Sequence, residues 1–392
     1  MVSSDYLRDA RVVIVGAGAI GCALAYRLAQ AGATVTVVDR SSAGSGTTGA
    51  TFAYVNGTEK PPRSYHRLSI MGIRDQEDLA DEIGGDWIHV TGSLHWATAD
   101  DGHASEIART MRQLLEWGMR VDRLDPETAV RELEPDVRID PAAVESVWLV
   151  HRAGWMDPVA MAHGTLQAAA LRYGVALVRG AVAGLRTSGG GIDAVVLADG
   201  AVLPADVVVD AAGPDAAHLA ALAGVTLPVD RIPGVLLVTA PAPARIHRVL
   251  WPAQVHIRPD GGSRLMVQRE SLDSEVFDGL TLTPDDPRVD AAMEHARRIV
   301  PALDGIAVEA LRHGVRSVPR DGLPIVGFDP AVFNLYHVVT HSGITLAARL
   351  ALLVTEELTG GDSAPLDAYR PARFYAADGS LAPLRASAGG AD

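Results

Sequence analysis

An α/β chain is what this sequence predicts: an open parallel sheet assembled from separated segments, with an antiparallel-sheet module inserted between them. Three observations carry the expectation. Residues 11 to 40, RVVIVGAGAIGCALAYRLAQAGATVTVVDR, give a short apolar run, three glycines, a helical repeat and a second apolar run, in that order. Asp206-Val207-Val208-Val209-Asp210 runs into Ala211-Ala212-Gly213-Pro214 and repeats the strand-to-glycine pattern. Leu335 to Val339 leads through Thr340-His341-Ser342-Gly343 into a long apolar helix, Ile344 to Leu358, and repeats it again.

The first segment is the most informative. Val12 to Val15 is continuously apolar, as a strand buried on both faces of a parallel sheet must be. Gly16, Gly18 and Gly21 follow in the spacing G-x-G-x-x-G. The first permits the tight turn, the second a close backbone approach to a pyrophosphate, and the third close packing of helix on strand. The helix N-terminus offers N–H groups and a positive dipole end to phosphates. Asp39 closes the second strand 18 residues after Gly21, where a carboxylate accepts hydrogen bonds from ribose hydroxyls and repels a 2′-phosphate. A dinucleotide site follows. Cys22, the single cysteine, is expected to be a small buried residue of the first helix.

The rest of the chain is read in order. SSAGSGTTGA after Arg40 is a loop of small donors. Tyr65 to Ile83 reads as a helix, residues 86 to 97 as strands with a turn, and Glu106 to Trp117 as an amphipathic helix. Asp157-Pro158 starts a helix that runs to Tyr173 before Gly174. Val175 to Val178 and Ala181 to Arg186 read as strands, and 192 to 203 as a hairpin around Asp199-Gly200. From Val229 to Val318 the βαβ rhythm disappears. Strands at 234–240, 255–258 and 264–268 and a helix from Pro287 to Ile299 read as an antiparallel sheet with one helix. The expected division is a nucleotide domain from 1–85, 150–228 and 319–375, a substrate domain from 86–149 and 229–318, and a tail at 376–392.

Composition excludes several functions. The 392 residues carry a formal net charge of −14, which disfavours nucleic acid or an anionic membrane surface as partner. One cysteine forms no internal disulfide, and no spacing resembles a metal site. The opening MVSSDYLRDA lacks an apolar signal core, and no run reaches the ~18 apolar residues of a membrane span. A cytoplasmic protein is the expectation.

On GAGAIGCALAYRLAQAGATVTVVD, GSGTTGA, DVVVDAAGP, RSVPRDGLPIVG and HSGITLAARLALLVTEELTGG, the chain resembles the D-amino-acid oxidase family of FAD-dependent oxidoreductases over nearly its whole length. The pattern R-x-x-P-x-D-G-x-P-x-x-G is its most specific part. The resemblance implies a Rossmann-like FAD-binding domain with an inserted substrate domain. It also implies an FAD site of Gly16, Gly18, Ala19, Ile20, Gly21, Asp39, Arg40, Gly46, Thr47, Thr48, Val182, Ala212, Gly213, Ser342, Gly343, Ile344 and Thr345. Arg316 would hold a substrate carboxylate, the alternative being a structural salt bridge. Tyr54 and His256 would line the pocket. His341 stands near the flavin or serves the fold, and Lys60 is a solvated side chain unless kept for a purpose. FAD would be non-covalent, because no cysteine lies in the C-terminal half and Ala50-Thr51-Phe52 stands where some relatives carry a linking histidine. The implied activity is oxidation of the C–N bond of an amino or imino acid by hydride transfer, with oxygen or another electron acceptor. A flavin monooxygenase and a flavin-bearing non-catalytic subunit remain alternatives.

Overall fold

The fold is given by a computed structural model that describes residues 7–98, 102–276 and 280–376. Most of the expected tail, 377–392, and the first six residues lie outside the described residues.

Two sheets organise the chain. The first has six strands in the order Ile325–Phe328, Leu335–Val339, Val207–Asp210, Arg11–Val15, Thr34–Asp39 and Ala176–Arg179. All neighbours are parallel except the outermost Ile325–Phe328. Strand residues alternate between faces, and the cores divide accordingly. Val12 and Ile14 join a core with the helices Ala19–Gln30, Pro158–Tyr173 and Gly343–Leu358. Val13 and Val15 join another with the antiparallel strands Val182–Ser188, Gly191–Leu197 and Val202–Pro204 and the helix Ala216–Leu222. Cys22 is fully buried. Pro158–Tyr173 starts as its sequence dictates, with the Asp157 carboxylate accepting from the N–H groups of Val159 and Ala160.

The second sheet has eight strands, from Val308–Pro319 and Val229–Thr239 through Leu265–Gln268, His256–Pro259, Val249–Pro252 and Ser93–Trp96 to Val147–Val150 and Val121–Leu124. Its alternation again serves two faces. Val235 and Leu237 pack on the Pro287–Ile299 helix, whereas Leu236 and Val238 face Phe52 and Met266. A small sheet of Tyr54–Val55, Gly154–Met156 and Ile88–His89 lies between the layers.

One expectation needs correction. The longest antiparallel pair, Val229–Thr239 with Val308–Pro319, is longer than the strand expected at 234–240, and its partner carries no strand pattern in the sequence. The segment VEALRHGVRSVP mixes charged and apolar residues without alternation, so pairing rather than pattern makes it a strand. Residues 86–97 form two strands, as expected, but the strands pair with other segments and not with each other. Ile88–His89 pairs with Gly154–Met156, while Ser93–Trp96 pairs with Val147–Val150 and Val249–Pro252. Among the described residues no helix is long and apolar enough to cross a membrane, and none of their His, Cys, Asp and Glu side chains form a group able to hold a metal ion.

His337 is fully buried between two buried carboxylates, Nδ1 at 2.9 Å from Asp210 and Nε2 at 3.3 Å from Asp329. Burial alone would lower its proton affinity, but the two carboxylates outweigh it and raise the pKa to about 9. The folded value lies above the unfolded value of about 6.5. The stabilisation is therefore fully present below about pH 6.5 and is lost as pH rises through about 9. Urea unfolding at a series of pH values should show a falling midpoint across that window, and a flat profile would contradict the buried imidazolium. Gly21→Ala provides a second test, since a Cβ there would lie 1.8 Å from the Gly16 carbonyl oxygen. Its expected cost is about 2–3 kcal/mol by the same denaturation.

Candidate active site

A cavity of about 1040 Å³ lies between the C-terminal ends of the parallel strands and the inner face of the eight-stranded sheet. One end is walled by backbone. Gly16 takes φ +111°, and a Cβ on it would meet the Ala211 carbonyl oxygen at 2.3 Å, so only glycine turns the chain here. Around Gly18 the space is open apart from the Thr48 hydroxyl at 3.1 Å, and nothing lies within 4 Å of the Cβ positions of Gly46 and Gly213. A ligand can therefore approach the main chain closely at all three.

Side-chain bonds fix this end. The Ala19 N–H donates to Thr48 Oγ1 at 3.0 Å, and the Thr47 hydroxyl donates to the Val315 carbonyl of the other sheet at 2.5 Å. Asp39 accepts from the N–H groups of Ala17 and Ser41, both at 2.8 Å. Each carboxylate oxygen keeps a lone pair for a hydroxyl donor. Arg40 pairs with Asp215 at 2.6 Å at the rim. Val182, Ala212, Ser342, Gly343, Ile344 and Thr345 also line the cavity, as do Ala19, Ile20 and Arg40. The N-terminus of the 16-residue Gly343–Leu358 helix opens onto it. Gly21 does not line it. Its place against Gly16 makes it a packing residue, correcting its inclusion among the cofactor contacts.

The other end is built from side chains of the eight-stranded sheet and the residue 52–60 loop. The Tyr54 hydroxyl, Ser93 Oγ and His95 Nε2 form a closed triangle with edges of 2.8, 2.9 and 3.2 Å. Trp251 is held between two rings. His256 stacks on it at 3.5 Å between centroids and Tyr54 lies at 4.6 Å, with Phe52 edge-on at 5.9 Å. Ala53, with φ +52°, presents Tyr54, and buried Arg258 ties this turn by donating Nε–H to the Phe52 carbonyl.

Arg316 also lines the cavity. Its Nη1 lies 3.3 Å from Asp273 Oδ2 and its Nη2 donates to the Pro233 carbonyl at 3.1 Å, while its buried Nε has no protein partner. Asp273 is itself held by the Val235 N–H and the Gln268 side chain. The salt bridge and the cavity position thus coexist, and the bridge fixes the guanidinium while a third of the side chain stays exposed.

Lys60 departs from the expectation of a solvated side chain. It lines the cavity half-buried, with Nζ 5.8 Å from the Tyr65 ring centroid. His341 lines the cavity too. Asp273, His95, Trp251 and Gln268 carry no signal in the sequence. They sit in a short helix and short strands whose spacing forms no recognisable motif.

Three of the cavity's histidines are neutral. Burial lowers His95 to about 3 and, with His95 nearby, His256 to about 3. Burial, then Lys60 and Arg316, lowers His341 to about 4. Burial raises the Tyr54 phenol, opposed by its bond to Ser93. His95, His256, His341 and Tyr54 are therefore uncharged near neutral pH.

The sequence pattern of the FAD dependent oxidoreductase (DAO) family matches residues 11–357. The chain belongs to that family. Its cofactor is FAD, and the open glycine approaches, the free lone pairs of Asp39 and the helix terminus at Gly343 fit that group. Glycine oxidase from Geobacillus kaustophilus (strain HTA426) is 27% identical, over 92% of this chain and 96% of its own. A subunit of the opine oxidase from Agrobacterium tumefaciens (strain Ach5) is 25% identical, over 93% and 98%. Among solved structures, iminodiacetate oxidase from Chelativorans sp. BNC1 aligns with a TM-score of 0.77 at 25% identity, over 92% of this chain and 99% of that one.

The neutral pocket makes a direct prediction. Imidazole NMR signals of His95, His256 and His341 should not titrate between pH 5 and 9. A midpoint near the ordinary 6.5 in any of them would show that it is solvated instead.

Proposed function

We propose that this FAD-dependent oxidoreductase oxidises the C–N bond of a small amino or imino acid. The observation that carries the reading is Arg316, a guanidinium on the cavity wall that is held by Asp273 while a third of its side chain stays exposed. The glycine oxidase and iminodiacetate oxidase relatives, whose names specify carboxylate-bearing amines, support it.

Arg316 would bind the carboxylate, for which a permanently charged, planar donor array is suited. The Tyr54 hydroxyl, its direction fixed by Ser93 and His95, faces the amine end. Phe52 and Trp251 exclude water and set the orientation that brings the C–H bond into line. The neutral imidazoles of His95, His256 and His341 are weak bases, so the amine would react as the free base after losing its proton to solvent. FAD, when bound, supplies the hydride acceptor. The resulting imine leaves the dry pocket and hydrolyses in water.

The residues named for FAD would hold it at the glycine-walled end, with pyrophosphate at Gly16–Ile20, ribose at Asp39, and the flavin near Ser342–Thr345. Stabilisation of negative charge by the Gly343 helix terminus would favour reduction. The proposed domains follow this division of labour, with 1–85, 150–228 and 319–375 holding cofactor and 86–149 and 229–318 holding substrate. We also propose a cytoplasmic setting, supported by the lone thiol, and leave oxygen and other acceptors as the alternatives for flavin reoxidation. The reading as a non-catalytic subunit is favoured by the opine oxidase relative, itself one subunit of its enzyme. Turnover by the purified chain alone separates the two.

Arg316→Ala should retain bound flavin while weakening carboxylate substrates about 30-fold or more, as expected when one partner of a buried charge pair is removed. Anaerobic flavin bleaching against substrate concentration measures it. Unchanged substrate affinity would remove Arg316 from the carboxylate role.

A further inference from the structure

We infer that the substrate carries a second carboxylate and that Lys60 holds it. This rests on the amino- or imino-acid reading above and narrows it to diacids.

Lys60 is the only lysine in the chain. It belongs to the loop between Tyr54–Val55 and the Arg63–Ile83 helix and reaches the same cavity as Arg316. The two cations differ in how they are satisfied. Arg316 is bridged to Asp273 at 3.3 Å, whereas Lys60 has no carboxylate within ion-pair distance among the described residues, and its defined neighbour is the Tyr65 ring. Burial lowers the Lys60 pKa, partly opposed by the carboxylate of Glu59, its neighbour in the chain. A half-buried cation that forms no ion pair with that carboxylate gains a partner when an anionic ligand contacts it.

The two cations line the same cavity from different layers, Arg316 from the eight-stranded sheet and Lys60 from the loop. A monoacid seated on Arg316 leaves Lys60 unpaired. A diacid satisfies both. Glu59 and Glu270 also line the cavity, so the attraction depends on contact with Lys60 and not on a general positive field.

The test uses two ether acids that lack an oxidisable amine, diglycolate with two carboxylates and methoxyacetate with one. Each is titrated into the flavin-loaded protein and followed by the flavin absorbance. The wild type should bind diglycolate at least about tenfold more tightly. Lys60→Gln should weaken diglycolate by about 10- to 100-fold, the range for a hydrogen bond to a charged group, and change methoxyacetate by less than about twofold. Lys60→Arg should restore part of the difference, and an unaltered flavin spectrum in each variant excludes misfolding. Equal affinity for the two acids in the wild type overturns the inference. So does equal weakening of both acids in Lys60→Gln, which would make Lys60 a contact of the cofactor or of the first carboxylate. If both acids bind alike while a monocarboxylate amine still bleaches the flavin, only the diacid assignment falls. If neither acid binds and no amino or imino acid bleaches the flavin, the underlying function falls with it.

Discussion

The contact of the Gly16 turn with the Ala211 carbonyl sets the geometry of everything around the cavity. Two strand ends approach there more closely than any side chain would allow, since even a methyl on Gly16 would sit 2.3 Å from that oxygen. The helix Ala19–Gln30 is then fixed in direction by Gly21 against Gly16. With the helix fixed, Ala17 and Ala19 present their N–H groups to Asp39 and Thr48. Each of these polar bonds is ordinary in strength, about 1 kcal/mol net. Their alignment depends on a steric requirement that only glycine meets.

The two ends of the cavity use different physics. At the glycine end, backbone dipoles and the Asp39 carboxylate provide a permanent polar surface, with the Arg40–Asp215 pair at its rim. At the sheet end, stacked rings and unprotonated imidazoles make a low-dielectric wall in which Arg316 and Lys60 are the cationic side chains. Interactions with a charged ligand are stronger in such surroundings than in water. Recognition is thereby concentrated on few atoms.

The parallel layer is readable in the sequence because each repeat there is local. A buried strand, a glycine turn and a helix fall within thirty residues, and Pro158–Tyr173 and Leu335–Val339 have the bounds their caps and apolar runs imply. The eight-stranded sheet is less legible because its order joins segments distant in the chain. Ser93–Trp96 lies parallel to Val249–Pro252, a register that no nearby residue encodes. Arg316 is visible through its family motif, but its anchor Asp273 is not, since a lone acid in a six-residue helix has no distinguishing neighbours. Lys60 looks like a surface residue because polar loops usually are exposed. Only the folding of its loop over the cavity shows otherwise.

The rarity of lysine has a practical side. Of 34 basic residues, all but Lys60 are arginine, and arginine does not react with the usual amine-directed reagents. Acylation, reductive alkylation or coupling to an activated support would find no surface ε-amine on this protein, and the one it does reach opens into the cavity. Apart from the α-amine of the chain, attachment strategies that are harmless for most enzymes would here modify the pocket, and one ε-amine label would report on it.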